Sequence, residues 1–363
     1  MRRPTALWLI PVLFLYTAPG AGAADVTVTG LRCEYLANPL GIDVARPRLS
    51  WRLESARRGE TQKAYRVLVA STPEQLAKDE GDLWDSGKVG GDTSIHVAYA
   101  GKDLASYQPC CWKVRVWDKD GQPSSWSEPA HWSMGILDPH LWKGQWLGYV
   151  KPFDHDTGWA QKAPSPVFRK TFTIDGPIRS ATLSIAGLGY YVASLNGQRV
   201  GDHVLDPGFT RYDRRVLYVT YDVADQLKPG KNAIGVMLGN GFYNSHTRDA
   251  WDFDQAPWRD TPRLLAQIRV VMKDGTERII ATDGSWKAST GPVVLDGIRN
   301  GQVYDARLEM PGWDTAGFDD ANWAAPSIVD APKGTLRAQM HPAIKVFESI
   351  RPVKITETRP GVW

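Results

Sequence analysis

The stretch "RLLAQIRVVMKDGTERIIATDGSWKAS", residues 263–289, decides the fold class because it reads as one long β-hairpin. Apolar side chains recur at every second position from Leu264 to Met272, and the residues between them include the polar Gln267 and Arg269. That alternation is typical of a strand with one buried face. The Asp274-Gly275 dipeptide is a common hairpin turn, because both residues tolerate the positive φ that the turn needs.

Related strand patterns surround this hairpin. The stretch "SATLSIAGLGYYVASLNGQRV", residues 180–200, predicts two strands that are joined by a Gly-rich bend and followed by an Asn-Gly turn. We find no alternation of strands with long helices and no repeat at a solenoid period. Residues 146–325 are therefore predicted to form a jelly-roll β-sandwich.

An upstream unit, residues 26–136, is also predicted to be all-β. "AYRVLVAST" (residues 64–72) and "CWKVRVWD" (residues 111–118) alternate with the strand period. A capping box with Pro at the first helical position, "TPEQ" at residues 72–75, predicts one short helix between them. The unit's size and turn spacing favour an immunoglobulin-like or fibronectin-like sandwich.

The remaining segments complete an all-β organisation. Residues 137–145 are predicted to be a linker. Residues 326–363 contain two strand-like runs and are predicted to begin a further β domain that is truncated. The alternative is a segment that packs on the second sandwich, since an unfinished sandwich would leave strand edges unpaired.

Residues 1–23 are predicted to be a secretory signal peptide. Arg2 and Arg3 precede the apolar run "ALWLIPVLFLY", which is too short to span a bilayer, and Ala21-Gly22-Ala23 supplies small residues for cleavage. The chain is therefore expected to be periplasmic or secreted. No later segment reaches transmembrane length, so we expect no membrane insertion.

The composition excludes one class of partner. The net charge is +3 over 363 residues and no block of Lys and Arg is present, so we expect no nucleic-acid binding. The chain has 16 Trp, a residue that packs in cores and also stacks on sugar rings. Exposure decides between those two roles.

Three cysteines leave two interpretations open. In an oxidising compartment Cys33 could bridge to either member of the adjacent pair Cys110 and Cys111. A catalytic cysteine is disfavoured, because no His lies near any of the three in sequence. The chain also lacks a nucleophile elbow, a zincin motif, a P-loop and a dinucleotide-binding fingerprint. No catalytic residue is predicted.

Three polar loops interleave carboxylates and amides with aromatic residues, at residues 196–212, 240–260 and 300–307. Such loops can hydrogen-bond sugar hydroxyls while an aromatic ring covers the sugar, and they can offer oxygen ligands to calcium. The alternative is ordinary turn structure, which Asn and Asp favour through local hydrogen bonds. The carbohydrate-binding candidates are Asn196, Asp206, Asn240, Trp251, Trp258 and Tyr304.

Several motifs resemble the N-terminal accessory region of bacterial α-L-rhamnosidases of the glycoside hydrolase family 78 type. They are "LNGQRVGDHVLDPGFTRYDRRVLYVTYDV" at 195–223, "LKPGKNAIGVMLGNGFY" at 227–243 and "YDARLEMPGWDTAGFDDANW" at 304–323. Upstream, "LRCEYLANPLGIDVARPRLSWRL" and "CWKVRVWDKDGQPSSWSEPAHW" resemble the Ig-like module that precedes this region in the family. The resemblance extends from about residue 26 to the end.

The resemblance implies a partner and a cofactor. The family removes terminal α-L-rhamnose from glycosides with inversion, using a downstream (α/α)₆ barrel that is absent from this sequence. Some members hold rhamnose through calcium on the jelly roll, which makes Asn196 and Asn240 the candidate calcium ligands and leaves no other cofactor expected. Gln302 stands where the family usually has Glu before the Val-Tyr-Asp-Ala-Arg run, so binding there is expected to be weakened.

Three hypotheses follow from these patterns. The chain is the non-catalytic N-terminal region of an α-L-rhamnosidase that needs a missing catalytic domain downstream, and it is inactive alone. The alternative is a stand-alone exported module that binds a rhamnose-containing glycan. A purely structural role, with both sandwiches packed on a missing barrel, is compatible with the first.

Overall fold

The computed structural model describes residues 26–149, 164–245 and 251–362, and these residues form two β-sandwiches. The all-β fold class predicted from the sequence is confirmed. Within the described ranges the only α-helix is α1, Pro73–Ala77. The predicted signal peptide lies outside the described residues. Among the residues described, no helix combines the length and apolarity needed to cross a bilayer.

The first sandwich consists of two packed sheets. One has three strands in the order β1-β2-β6. The other has the order β4-β3-β7-β8, and β5 also pairs with β3. Its strands are β1 Thr27–Cys33, β2 Arg48–Glu54, β3 Ala64–Ala70, β4 Trp84–Asp85, β5 Val89–Gly90, β6 Val97–Ala98, β7 Pro109–Trp117 and β8 Ala130–Ser133. Helix α1 lies between β3 and β4, and the Thr72 side chain accepts the Gln75 N–H at 3.3 Å, as expected for a helix N-cap.

The alternation read from the sequence sets the core of this sandwich. Val67 pairs with Val114 and Val69 with Trp112, and all four side chains are buried in one cluster. These pairs place apolar groups directly opposite each other on the inner face, which is how neighbouring strands stabilise one another. The tryptophans in this core are structural and are not available to a ligand.

The second sandwich begins after a short 3-10 helix, Pro139–Leu141. Its strands are β9 Leu147–Gly148, β10 Pro166–Ile174, β11 Ile178–Leu188, β12 Tyr191–Leu195, β13 Gln198–Arg199, β14 His203–Val204, β15 Arg215–Asp222, β16 Gly230–Leu238, β17 Arg263–Met272, β18 Glu277–Ala281, β19 Lys287–Thr290, β20 Val293–Gly297, β21 Gly301–Tyr304, β22 Ser327–Ile328, β23 Thr335–Ala338 and β24 Ile344–Lys345. Further 3-10 turns occupy Ala224–Gln226, Phe253–Gln255 and Ala306–Leu308.

Two large sheets face each other in the second sandwich. One has the order β13-β12-β16-β10-β19, and the other has the order β22-β9-β17-β11-β15-β23 with β18 also paired to β17. Two small ribbons, β14-β24 and β20-β21, lie outside them. The predicted hairpin is present, with Ile268 opposite Ile280 and Val271 opposite Glu277.

The hairpin differs from the sequence prediction on its outer face. Leu264, Ala266 and Ile268 point into the sandwich as predicted, but Leu265 and Gln267 between them are also buried. The linker and the first sandwich cover that outer face. The Gln267 side chain donates to the Tyr107 hydroxyl at 2.7 Å and accepts the Lys143 N–H at 2.8 Å, so its burial is compensated by hydrogen bonds.

The two sandwiches make direct contact across this outer face. The Tyr218 hydroxyl on β15 accepts the Ile136 N–H at 2.9 Å, and the Trp142 ring packs edge-on against Tyr218. Asp43 of the first sandwich accepts the Ala338 N–H at 3.0 Å and pairs with Arg337 at 2.7 Å. The linker therefore lies within a packed interface.

The end of the chain joins the second sandwich, where the sequence predicted a further domain from residue 326. Strand β22 pairs with β9, β23 runs parallel to β15, and β24 pairs with β14. Parallel pairing of β23 with β15 spans more than a hundred residues of sequence, so no local pattern identifies the partner strand. The segment up to Lys345 thus follows the alternative, a segment packed on the second sandwich.

A buried arginine fixes the motif at residues 304–323 to the five-stranded sheet. Arg169 on β10 is fully buried, donates to the carbonyl oxygens of Trp313 at 2.7 Å and Thr315 at 2.8 Å, and pairs with Asp320. Its guanidinium also lies 5.4 Å from the centre of the Phe318 ring. Burial lowers the pKa of this guanidinium, yet it stays charged because an arginine starts far above neutral pH.

We expect Arg169→Met to lower the free energy of unfolding of the second sandwich by about 3 kcal/mol. Met keeps the apolar stem but leaves two carbonyl oxygens and a carboxylate without their donor. Urea titration followed by tryptophan fluorescence measures the loss. Arg179→Met, at an exposed position on β11, is the control and should stay within about 0.5 kcal/mol. Equal effects of the two variants would contradict this role of Arg169.

Candidate functional site

The described parts of the three polar loops come together at one end of the second sandwich, except for Asn196, which lies at the opposite end of β12. The centres of the Phe209 and Phe253 rings are 5.6 Å apart, and this contact joins the first loop to the second. The Arg299 guanidinium lies 4.1 Å from the centre of the Trp251 ring, which joins the second loop to the hairpin β20-β21. The sequence therefore identified segments that form one continuous surface.

Aromatic side chains form a ridge on this surface. The ridge is defined as Phe209, Phe242, Trp251, Phe253 and Trp258, whose rings contact one another at centroid distances of 5.0–6.3 Å. Trp251 is 59% exposed and Phe209 is 43% exposed, and the other three are partly buried. Exposed, mutually supported rings suit stacking on a flat apolar face, such as that of a sugar or of another protein.

A cleft of about 420 Å³ lies between β12 and the hairpin β20-β21, and Arg299, whose guanidinium packs on the Trp251 ring, follows its lining residue Ile298. Its lining is largely apolar, and its polar groups come from Tyr190, Arg199, Asp296 and Gln302. Burial raises the pKa of Tyr190 to about 12, so its phenol is protonated at neutral pH and can donate a hydrogen bond. A concave apolar site with a few polar groups is the usual form of a small-molecule pocket.

The Gly-rich bend seen in the sequence shapes this cleft. Gly189 has φ +102°, and a Cβ there would overlap the carbonyl oxygen of Gly239. Only glycine meets both demands, since it tolerates positive φ and permits close approach of two backbones. Tyr190 follows at φ +82°, and this conformation places it among the residues that line the cleft.

Asn240 lies under the cleft and is used by the fold. Its backbone N–H and its side-chain amide donate to the Asp296 carboxylate at 2.9 and 2.8 Å, and its amide oxygen accepts from Asn244 at 2.7 Å. Ser165 donates to the same carboxylate at 3.0 Å. These bonds connect the second loop to β20 and hold the floor of the cleft.

Asn196 is likewise part of the scaffold. It occupies the left-handed turn between β12 and β13, with φ +52°. Its amide donates to the Gln226 carbonyl at 2.9 Å and to Asn232 at 2.8 Å, and its oxygen accepts the Ala233 N–H at 2.9 Å. The turn that the sequence predicted is confirmed, and the side chain ties that turn to β16.

Asp206 is buried away from the ridge. Its carboxylate accepts from the Tyr221 hydroxyl at 3.0 Å and the Gln339 amide at 2.9 Å, and lies 2.6 Å from His203 Nδ1. Gln339 in turn accepts the Gly208 N–H at 2.8 Å. The first loop is therefore attached to the end of the chain through Asp206.

Tyr304 remains available at the surface. It is about half exposed on β21 and donates to Glu309 at 2.8 Å, a carboxylate contact that raises the pKa of Tyr304. Of the six predicted carbohydrate contacts, the exposed aromatic residues Trp251 and Tyr304 are the most accessible. Sequence reasoning missed three residues that line the cleft, Tyr190, Arg199 and Asp296. The only signals in the sequence were the Gly-rich bend before Tyr190 and the Asp296-Gly297 pair.

The fold already uses the two amides predicted as calcium ligands. Calcium takes six to eight oxygen ligands, several of them carboxylates. The side-chain oxygens of Asn196 and Asn240 already accept hydrogen bonds, and the carboxylate beside Asn240 already accepts three donors. Within the described residues, no group of three or more His, Cys, Asp or Glu side chains could hold a metal ion.

Comparison with family models identifies both sandwiches. Residues 28–138 match the model described as "Rha78A-like, N-terminal immunoglobulin domain", and residues 176–348 match "Alpha-L-rhamnosidase N-terminal domain". An α-L-rhamnosidase of Formosa agariphila is 36% identical over 346 residues, which cover 90% of this chain and 36% of that protein.

Solved structures agree with these matches. The α-L-rhamnosidase of Dictyoglomus thermophilum superposes with a TM-score of 0.84 at 36% identity, over 94% of this chain and 38% of its own. The Streptomyces avermitilis α-L-rhamnosidase, solved with L-rhamnose, also gives 0.84 at 26% identity, over 93% of this chain and 48% of its own.

These matches define the class first: the two β-sandwiches are of the kind found in the N-terminal region of a family of glycoside hydrolases. The chain belongs to the N-terminal region of the α-L-rhamnosidases. It spans between about a third and a half of the length of these relatives.

We expect calcium to leave the thermal unfolding midpoint unchanged, because the side-chain oxygens of Asn196 and Asn240 already accept hydrogen bonds within the fold. Asn196→Ala should lower the free energy of unfolding by about 1–3 kcal/mol equally with calcium and with a chelator, since it removes three hydrogen bonds. Gln198→Ala, at an exposed position in the next strand, is the control. Calcium-dependent stabilisation that disappears in Asn196→Ala would restore the calcium hypothesis.

Proposed function

We propose that the chain acts as the scaffold on which another domain of an α-L-rhamnosidase is mounted. The observation that carries this proposal is an exposed apolar run, Ile344, Val346, Phe347, Ile350, Val353 and Ile355. Phe347 is 99% exposed and Ile350 is 83% exposed. Several large apolar side chains exposed in one short segment mark a protein contact, because leaving them in water forgoes about 25 cal/mol for each Å².

The apolar run starts from a fixed point on the second sandwich. Strand β24 pairs with β14, and the Lys345 ammonium donates to Asp202 at 2.8 Å. The buried bond from Gln339 to Asp206 anchors the segment just before it. The anchor fixes the point at which the run leaves the second sandwich, which lowers the ordering cost of docking.

The proposed enzyme hydrolyses terminal α-L-rhamnose from glycosides, and this chain contributes none of the catalytic groups. The relatives have more than half of their length outside the part that matches, which leaves room for a domain that covers the run. The chain alone is then expected to release no nitrophenol from p-nitrophenyl α-L-rhamnoside.

The test uses the protein purified from its native cells. Its intact mass should exceed the 40.3 kDa of the 363 residues, and it should hydrolyse p-nitrophenyl α-L-rhamnoside. Phe347→Asp in that protein should lower its thermal unfolding midpoint by several degrees, because a charge enters a buried contact. Lys354→Asp, exposed in the same segment, is the control. A native mass at or below 40.3 kDa would refute the scaffold role. Equal changes in the thermal unfolding midpoint of the two variants would also refute it.

A second function is carbohydrate binding at the aromatic ridge and its cleft, favoured by the exposed Trp251 ring beside a pocket with phenol, guanidinium and amide groups. Titration calorimetry with L-rhamnose should then give a millimolar dissociation constant, about −4 kcal/mol. Trp251→Ala should abolish the heat, while Phe347→Ala and a calcium chelator should leave it unchanged. Absence of heat with the unmodified chain would eliminate this function.

A further inference from the structure

A second cavity, of about 530 Å³, lies where the two sandwiches and the end of the chain meet. Its lining comes from the loop at residues 36–41 of the first sandwich, from β15, from Asp202 and His203, and from the segment 339–345. This junction cavity has no lining residue in common with the cleft beside β12. Its volume is within the range of about 300–1,000 Å³ that is typical of ligand pockets.

Contacts within the fold fix the walls of the junction cavity. On the side of the first sandwich, Gly41 lies so close to β15 that a Cβ on it would be 2.2 Å from the Thr220 hydroxyl oxygen. On the side of the chain's end, β24 pairs with β14, and the Gln339 amide donates to Asp206 at 2.9 Å. The cavity is therefore bounded by segments that are attached to the second sandwich on both sides.

The His203 imidazole presents one nitrogen to this cavity. Its Nδ1 lies 2.6 Å from the buried Asp206 carboxylate, whose oxygens also accept from Tyr221 and Gln339. Because that carboxylate is an acceptor, Nδ1 carries the proton, and Nε2 of the neutral ring is an acceptor. Within the described part of the chain Nε2 makes no hydrogen bond, and Asp202, which also lines the cavity, is 3.8 Å from it.

The other polar groups of the lining carry both signs of charge. The Lys345 ammonium donates to Asp202 at 2.8 Å, and this bond lowers the pKa of Asp202, so the carboxylate is ionised at neutral pH. Leu36, Pro39 and Ala343 supply apolar surface to the same cavity. Such a lining suits a ligand whose hydroxyls both donate and accept hydrogen bonds and whose ring carbons are apolar.

We propose that the junction cavity binds a neutral sugar unit, with one hydroxyl donating to His203 Nε2 and others bound by Asp202 and Lys345. A neutral ligand is favoured because an anion would meet the carboxylates of Asp202 and Asp222, and a cation would meet the ammonium of Lys345. The bound sugar contacts both sandwiches and the end of the chain, so it stabilises their junction. This site is separate from the aromatic ridge and does not depend on the scaffold role.

The test uses the 363-residue chain with Trp251→Ala, so that the aromatic ridge contributes no binding. L-Rhamnose is the neutral probe and D-glucuronate is the anionic probe. Titration with L-rhamnose should move the ¹⁵N resonance of His203 Nε2 with a millimolar dissociation constant. Glucuronate should bind about tenfold more weakly, because its carboxylate is repelled by those of the lining. No movement with L-rhamnose, or equal affinity for glucuronate, would overturn the proposal.

Three variants in the same Trp251→Ala background locate the binding by titration calorimetry. His203→Asn keeps a donor in the place of Nδ1 but lacks Nε2, so it should weaken L-rhamnose binding about fivefold, the effect of one hydrogen bond. Ala343→Trp, which removes no hydrogen bond of the fold, fills the cavity and should abolish the heat. Glu348→Trp, exposed in the same segment and outside the lining, is the control and should leave it unchanged.

Ala343→Trp keeps the test decisive even where His203→Asn lowers the thermal unfolding midpoint. Unchanged affinity in Ala343→Trp would overturn the proposal, and so would an equal loss in Glu348→Trp. The scaffold role is tested by the native mass and by Phe347→Asp, so the failure of one proposal is distinguishable from the failure of the other.

Discussion

The seven-stranded sheet must be covered on both faces, and the arrangement of the rest of the molecule depends on that constraint. Strand β17 directs Leu264 and Ile268 into the second sandwich and Leu265 outward. β15 does the same, with Val219 inward and Tyr218 outward. An apolar outer face is stable only under cover, and the linker, the first sandwich and the end of the chain together provide it. The two sandwiches therefore pack as neighbours.

The same packing relates the two surfaces considered for function. The loop from residue 202 to 209 leads from β14, where the end of the chain is anchored, to Phe209 on the aromatic ridge. Asp206 and Gly208 within it are both bound by Gln339. The exposed apolar run and the ridge are thus attached to opposite ends of one short, hydrogen-bonded loop.

Sequence periodicity predicted the strands and the core of the first sandwich, because Val67, Val69 and Val114 recur with the period of a strand and face one interior. It also predicted the Asn196 turn and the hairpin at Asp274. It did not predict that the side chains of Asn196 and Asn240 would be used in hydrogen bonds within the fold. The partners of Asn196 come from a distant strand, and the partner of Asn240 is Asp296. The structural role of Arg169 could not be predicted either, because its hydrogen-bond partners lie more than 140 residues away in sequence.

The pairing of the last strands has a consequence for the solubility of shortened versions of this region. Strands β22 and β23 are the two edges of the seven-stranded sheet, and both come from residues 327–338. A chain cut at residue 325, where the sequence pattern placed a domain boundary, would lose both. It would then expose unpaired backbone N–H and C=O groups on β9 and β15, which are templates for edge-to-edge association between molecules. Residues 327–338 therefore protect the sheet against self-assembly.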